Sequence, residues 1–232
     1  MSLLSTKAIL FHQTPTKVII GFSQAGNLLA THDIPYRDAS AELVPAVDSM
    51  LASMSVNLSD ISYIACNIGP AAFTTLRTVV VTANGLGFGA NIPLVGVNSL
   101  ICLMKEAHQP PHQRTYALVT AFGNDVYFGV YDPAAGLLEC SLMPSQQALT
   151  AIISYARTQH NSQIHLVGSA VAAHQNALQA ADVTFELPQD SATTASLMGI
   201  AHQAEQAWQS GHKTYELMPY YGQATSGAEK AA

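Results

Sequence analysis

The sequence predicts an α/β protein of two lobes built on one topology. Three observations carry that expectation. The order strand, strand, strand, helix, strand, helix runs twice along the 232 residues. A proline-rich segment, His108-Gln109-Pro110-Pro111-His112, separates the two passages as a linker would. Hydrophobic residues make up 49% of the chain and charged ones 10%. That charged share is well under the roughly 25% of an ordinary soluble protein. The chain can therefore fill a sizeable core and still have apolar surface left over for a partner.

In the first passage, residues 8–11 and 18–22 are β-rich runs on either side of Thr14-Pro15-Thr16. A third run, 28–34, follows Ala25-Gly26-Asn27, and the three predict a β-meander. Leu43, Val47, Met50, Leu51 and Met54 then recur at helical spacing over 40–54. Pro45 suits that helix if it lies in the first turn. An apolar run predicts a strand over 61–68. A helix over 74–88, a strand over 94–97 and a helix over 99–106 follow.

The second passage repeats the order. Residues 116–121 and 126–131 flank Gly123-Asn124-Asp125, a hairpin signal, and a third strand over 137–142 follows Asp132-Pro133 and Gly136. Leu149, Ile152, Ile153 and Ala156 share one face of a helix that Ser145 can cap. A strand over 164–167 ends at Gly168-Ser169 and a helix over 171–180 follows. A short strand over 183–187 precedes a long helix over 192–210, with Gly211 as its stop. The predicted division is a lobe over 1–107, a lobe over 108–223, and a small, polar, disordered tail over 224–232.

Charge and composition exclude several functions. A net charge of -6 argues against a chain that grips nucleic acid by itself, since such chains show a basic face. Cys66, Cys102 and Cys140 have no framework spacing and read as buried free thiols in a reducing compartment. The N-terminus lacks the long apolar run of a signal peptide. No charge falls between Arg77 and Lys105, but Thr78, Thr82, Asn84, Asn91, Pro93 and Asn98 interrupt that stretch. It reads as helix, loop, strand, helix and not as a membrane span. A cytoplasmic protein is expected. His108 and His112 cannot share a helix face across Pro110 and Pro111, and neither they nor His160 and His165 read as a metal pair. No H-E-x-x-H or G-x-S-x-G motif is present.

The stretch IGPAAFTTLR, 68–77, raises the functional question. Small residues at a strand-to-helix turn can present backbone N–H groups to an anion, favoured by the helix dipole. They can equally allow strand and helix to pack closely, with Gly69 supplying an unusual dihedral. The lysine of a Walker-type phosphate loop is missing.

The longer run IGPAAFTTLRTVVVTANGLGFGANIPLVGVNSL resembles the signature region of the TsaB (YeaZ) family. There GPGSFTGLR precedes a small-residue helix, a proline, an apolar strand and V-S-S-L. Gly69, Pro70, Phe73, Thr74, Leu76 and Arg77 match, as do Gly85, Leu86, Pro93, Gly96, Val97, Ser99 and Leu100. The repeated order is itself the pattern of the actin-like ATPase superfamily, whose two lobes are each ribonuclease H-like with duplicated βββαβα topology. The resemblance implies a non-catalytic scaffold with no catalytic, cofactor-binding or metal-binding residues of its own. Such a subunit pairs with the larger actin-fold transferase TsaD and the small ATPase TsaE. Together they place a threonylcarbamoyl group on the adenosine beside the anticodon of tRNAs reading codons that begin with A. It meets tRNA only indirectly and forms a homodimer in isolation.

The departures from the family are consistent with a lost nucleotide site. His12-Gln13 stands where the family has Asp-Thr, Ala39 where it has His, and Ala71-Ala72 where it has Gly-Ser. Thr75 replaces a glycine, Thr120 an aspartate and Gln223 an arginine. A hard cation needs oxygen ligands, and His12 and Thr120 do not supply carboxylates. The loop Gly69, Pro70, Phe73, Thr74, Arg77 therefore reads as a packing turn that starts an interface helix. The expected interface residues are Leu43, Val47 and Met50 on the first helix, with Leu76, Val80, Ala83 and Gly87 on the second. An all-round apolar helix over 74–88 is also what a fully enclosed core helix looks like. The competing function is an active actin-like ATPase or small-metabolite kinase.

Overall fold

The structure is a computed structural model, and it describes residues 6–109, 114–158, 164–187 and 192–222. The proposed linker at Pro110-Pro111-His112 and the tail over 224–232 lie outside the described residues. The elements run β1 (Lys7–Gln13), β2 (Lys17–Gln24), β3 (Asn27–Pro35), α1 (Ala39–Ser53), β4 (Tyr63–Gly69), α2 (Phe73–Ala90), β5 (Leu94–Asn98) and α3 (Ser99–Ala107). They continue with β6 (Arg114–Thr120), β7 (Asp125–Asp132), β8 (Leu137–Pro144), α4 (Ser145–Thr158), β9 (Ile164–Val167), α5 (Val171–Ala180), β10 (Phe185–Glu186) and α6 (Leu197–Gln209).

The repeat holds in the sheets. One has the order β3-β2-β1-β4-β5 and the other β10-β9-β6-β7-β8. Read from its other edge, the second is the first with each strand number raised by five. In both, the meander pairs antiparallel and the two later strands are added parallel. This is the duplicated ribonuclease H-like topology of the actin-like ATPase fold.

The chain divides into two compact units, 1–99 with 196–220, and 100–195 with 221–232. The sequence division at 107/108 puts the last helix in the second lobe, whereas the fold gives α6 to the first sheet. α6 turns Leu197, Ile200, Ala201 and Ala204 inward, with Leu197 against Gly21 of β2, and a buried carboxylate fixes its far end. Glu205 of α6 is 7% exposed and accepts hydrogen bonds from the Thr6 hydroxyl (2.9 Å), the Tyr63 hydroxyl (2.9 Å) and the Gln209 amide (3.0 Å). The Tyr63 ring stacks on Trp208 at 5.0 Å between centroids. Burial, and then the neighbouring Glu205 carboxylate, push the Tyr63 hydroxyl pKa upward. The phenol therefore stays protonated and donates. α3 instead closes on the second sheet, where a Cβ on Gly129 of β7 would lie 2.7 Å from Met104 Sδ.

In the first unit the sheet is covered on both faces. Tyr63 reaches α6, so its neighbour Ile64 points the other way. Leu94, in register with Ile64, meets Gly87 of α2 on that opposite side. Covered on both faces, β1 and β4 read as continuous apolar runs and not as alternating ones. In the second unit Tyr116, Leu118, Phe128, Ile152, Leu166 and Leu178 form the core.

Two local expectations shift. Pro45 lies in the second turn of α1 and not the first. The carbonyl it leaves without a partner, that of Ala41, is on an exposed residue and faces water at little cost. α6 begins at Leu197, later than expected, because Ser196 caps it: its hydroxyl accepts from the Gly199 N–H at 2.9 Å. Gly211, with φ of +81°, ends it as predicted.

Candidate functional site

The motif loop joins β4 to α2. Gly69 takes φ of +120°, which only glycine adopts readily. Its N–H donates to the Asn67 side-chain oxygen at 2.8 Å. The Gly69-Pro70 peptide is cis, and the Pro70 carbonyl accepts from the Ser99 hydroxyl at 3.2 Å. No side chain caps α2 at Ala72. The Arg77 guanidinium lies over the Phe73 ring, 4.0 Å from its centroid, so these two motif residues stack on one another at the start of the helix.

The glycine is explained from within the chain. A Cβ at Gly69 would lie 2.8 Å from the Tyr220 carbonyl oxygen and 3.2 Å from Leu76. A carbonyl oxygen pressed against the loop is the wrong neighbour for a phosphate, whose charge it would repel. The donor set at the strand ends points the same way. His12 is 1% exposed, and its Nδ1 lies 3.2 Å from the Asn67 amide nitrogen. In the second unit Thr120 exchanges hydrogen bonds with Ser169 at 3.0 and 3.2 Å. Imidazole, carboxamides and hydroxyls stand where a hard divalent cation would take carboxylates. Among the described residues no group of three or more His, Cys, Asp or Glu is placed to hold a metal. Neither of these two sets contains a carboxylate. Cys66 is fully buried and burial pushes its thiol pKa up, so it is not a nucleophilic thiolate.

The seven expected interface side chains have a different place. Leu43, Val47, Met50, Leu76, Val80, Ala83 and Gly87 are all buried inside the unit, from 0% exposed at Ala83 to 6% at Met50 among those with side chains. They form the seam that packs α1 and α2 on the sheet. Periodicity finds the apolar face of each helix, and in this structure that face lies against the sheet. What remains outside is a second apolar stripe on α2. Phe73 is 54% exposed, Val81 68% and Phe88 89%, and with Arg77 and Gly85 they follow at helical spacing along one side. Val44 of α1 is 50% exposed. A Cβ at Gly85 or Gly89 would meet nothing within 4 Å, so no neighbour among the described residues requires either glycine. Sequence reasoning also missed Asn84, whose carboxamide holds Leu217. Its one signal was a lone amide in an otherwise apolar helix.

The doubled sheet places the chain in the actin-like ATPase class of folds. A family model, TsaD, tRNA N6-adenosine threonylcarbamoyltransferase, matches residues 33–214. The chain belongs to this family, in its TsaB/YeaZ group. It is similar to the tRNA threonylcarbamoyladenosine biosynthesis protein TsaB of Escherichia coli strain K12, 29% identical over 107 residues, 46% of each chain. TsaB of Bacillus subtilis strain 168 is 30% identical over 115 residues, 50% of this chain and 49% of that one. The chain thus spans about half the length of the curated relatives it matches. Among solved structures, YeaZ from Pseudomonas aeruginosa aligns with a TM-score of 0.65 at 20% identity, over 90% of this chain and 96% of that one. A protein with similarity to peptidase YEAZ from the same organism aligns at 0.68 and 19% identity, over 94% and 100%. These two likenesses show the fold. No helix among the described residues is long and apolar enough to cross a membrane.

Proposed function

We propose that the chain is a non-catalytic scaffold subunit in the biosynthesis of threonylcarbamoyladenosine in tRNA. In this reading it supports a TsaD-like transferase, acts beside a TsaE-like ATPase in the cytoplasm, and meets tRNA only through that assembly. Without the partner it pairs with itself. The observation that carries the reading is the outward stripe of α2, with Phe88 at 89% and Val81 at 68% exposure. Burying a phenylalanine fully yields about 1.5–3 kcal/mol, so a stripe of three such side chains favours association strongly. The carboxylate-free sets at His12 and Thr120 support the non-catalytic part, and the TsaB names of the relatives support the pathway.

The test is co-elution of the full chain with the TsaD-like protein of its own organism, against a Phe88→Glu variant. Phe88 is exposed, so the variant is expected to fold with an unchanged circular dichroism spectrum and to bind at least about tenfold more weakly. Equal binding by both proteins would remove the stripe from the interface. ATP turnover by the purified chain at about 1 per second or faster would overturn the non-catalytic assignment.

A further inference from the structure

After α6 the chain returns along the first unit and is fastened there at three points. Thr214 forms an antiparallel bridge with Leu94 of β5, the edge strand: the Thr214 N–H donates to the Leu94 carbonyl at 2.9 Å, and the Leu94 N–H donates back at 2.8 Å. Asn84 of α2 then holds both polar groups of Leu217. Its amide nitrogen donates to the Leu217 carbonyl at 2.9 Å, and its oxygen accepts from the Leu217 N–H at 2.9 Å. Finally the Tyr220 N–H donates to the Ile68 carbonyl at 2.7 Å, and its own carbonyl seats against Gly69.

Side-chain packing follows the same path. Leu217 is 5% exposed and sits in a notch over Gly96, where a Cβ would lie 3.0 Å from its Cδ2. Two glycines of the first unit, Gly69 and Gly96, are thus explained by this one segment. Asn84 is explained by it too. Asparagine is a poor residue for a helix interior, roughly 0.6 kcal/mol worse than alanine, and here its carboxamide mimics a strand, satisfying both backbone polar groups of one residue with two bonds. On the helix, Asn84 lies between Val81 and Phe88, at the border of the outer stripe. The segment therefore touches the motif loop at one end and the edge of the stripe in its middle.

We propose that residues 214–220 are a clasp that fixes α2 and the motif loop against the sheet, and so sets the shape of the outer stripe. The clasp stands on its own contacts; its consequence for docking rests on the function proposed above. Asn84→Ala removes both bonds without harming the helix, and Leu217→Ala empties the notch without touching the outer face.

Two readouts on the full chain test this. Hydrogen exchange reports opening of the clasp, and light scattering against concentration reports self-association. In the unmodified chain the amides of Leu217 and Tyr220 are expected to be protected. In each variant they should exchange about tenfold faster or more while β1 and β2 amides keep their rates, and self-association should weaken about tenfold. Phe88→Glu should weaken association with exchange unchanged. Unprotected Leu217 and Tyr220 amides in the unmodified chain, or unchanged rates in both variants, would overturn the clasp. Faster exchange with unaltered association in a chain that Phe88→Glu does dissociate would overturn its coupling to the stripe. If Phe88→Glu also leaves association unaltered, the docking function fails and the exchange result alone decides the clasp.

Discussion

α2 and α5 hold the same place in the two passages of the topology, yet they meet water differently. Each follows a parallel strand that ends on a glycine of positive φ, +120° at Gly69 and +109° at Gly168. Each glycine is pinned by a backbone of its own unit. A Cβ would lie 2.8 Å from the Tyr220 oxygen in one case and 2.3 Å from the Leu118 oxygen in the other. Their inner faces are alike, with Leu76, Val79, Val80 and Ala83 buried on α2 and Val171 and Leu178 on α5. Their outer faces are not. α5 exposes Ala172, Ala173, Asn176, Ala177, Gln179 and Ala180, whereas α2 exposes Phe73, Val81 and Phe88. Topology thus requires an apolar inner face twice, and only one of the two helices adds large apolar side chains outside. α5 serves as an internal control: strand-to-helix packing in this fold does not by itself produce such a stripe.

The largest effect tests the inner face. Ala83 is 0% exposed, so Ala83→Glu places an unpaired carboxylate in the seam between α2 and the sheet. The expected destabilisation is about 4 kcal/mol or more, enough to unfold the first unit. Urea unfolding followed by circular dichroism reads it. Leu178→Glu should do the same to the second unit. A folded, stable Ala83→Glu chain would mean that α2 stands off its sheet and that the two helices differ on both faces.

The next effect sharpens the outer contrast. Val81→Glu on α2 and Ala177→Glu on α5 both add a carboxylate at an exposed site, and both should leave the melting temperature within about 2 °C. Only Val81→Glu should weaken self-association, by about tenfold. Equal effects in light scattering would place an interface on both lobes; no effect from either would leave the stripe without a role.

Much of this was legible in the sequence. The duplicated order was, because each passage is a meander with turn residues followed by alternating helical and apolar runs, and β9 and α5 fall on the expected residues. The apolar surplus of α2 was also legible: Val81, Gly85 and Phe88 separate from Leu76, Val80 and Ala83 on a helical wheel. What periodicity cannot say is which of two apolar faces a sheet covers. The face expected to meet a partner, Leu76, Val80, Ala83 and Gly87, is the buried one. Chain order places the last helix with the second lobe, and the fold gives it to the first unit, where Glu205 meets Tyr63 across 142 residues. A buried carboxylate served by neutral donors leaves no local pattern. The same is true of Asn84 and Leu217, which are paired across 133 residues.

The smallest effect separates two glycines on one helix. Gly85 and Gly87 both lie within α2, where glycine is about 1 kcal/mol less favourable than alanine. At Gly87 the penalty has an internal reason: a Cβ would lie 2.7 Å from Leu94 Cδ2 and 3.0 Å from the Ile92 carbonyl oxygen. Gly87→Ala should therefore destabilise by about 1–3 kcal/mol through overpacking, less what helix propensity returns. At Gly85 a Cβ meets nothing within 4 Å, so Gly85→Ala should stabilise by about 0.5–1 kcal/mol and raise the melting temperature by roughly 2–4 °C at most. The two changes lie two residues apart and should move the melt in opposite directions. The association proposed above would supply the reason for a glycine that the fold does not need. A second helix seated against the stripe approaches to about 8–10 Å between axes, and a methyl at position 85 would stand between the two. The expected outcome is a chain that melts later and associates more weakly. If Gly85→Ala melts later and associates as before, the close approach lies elsewhere along α2, and Gly89, equally open, is the position to change next.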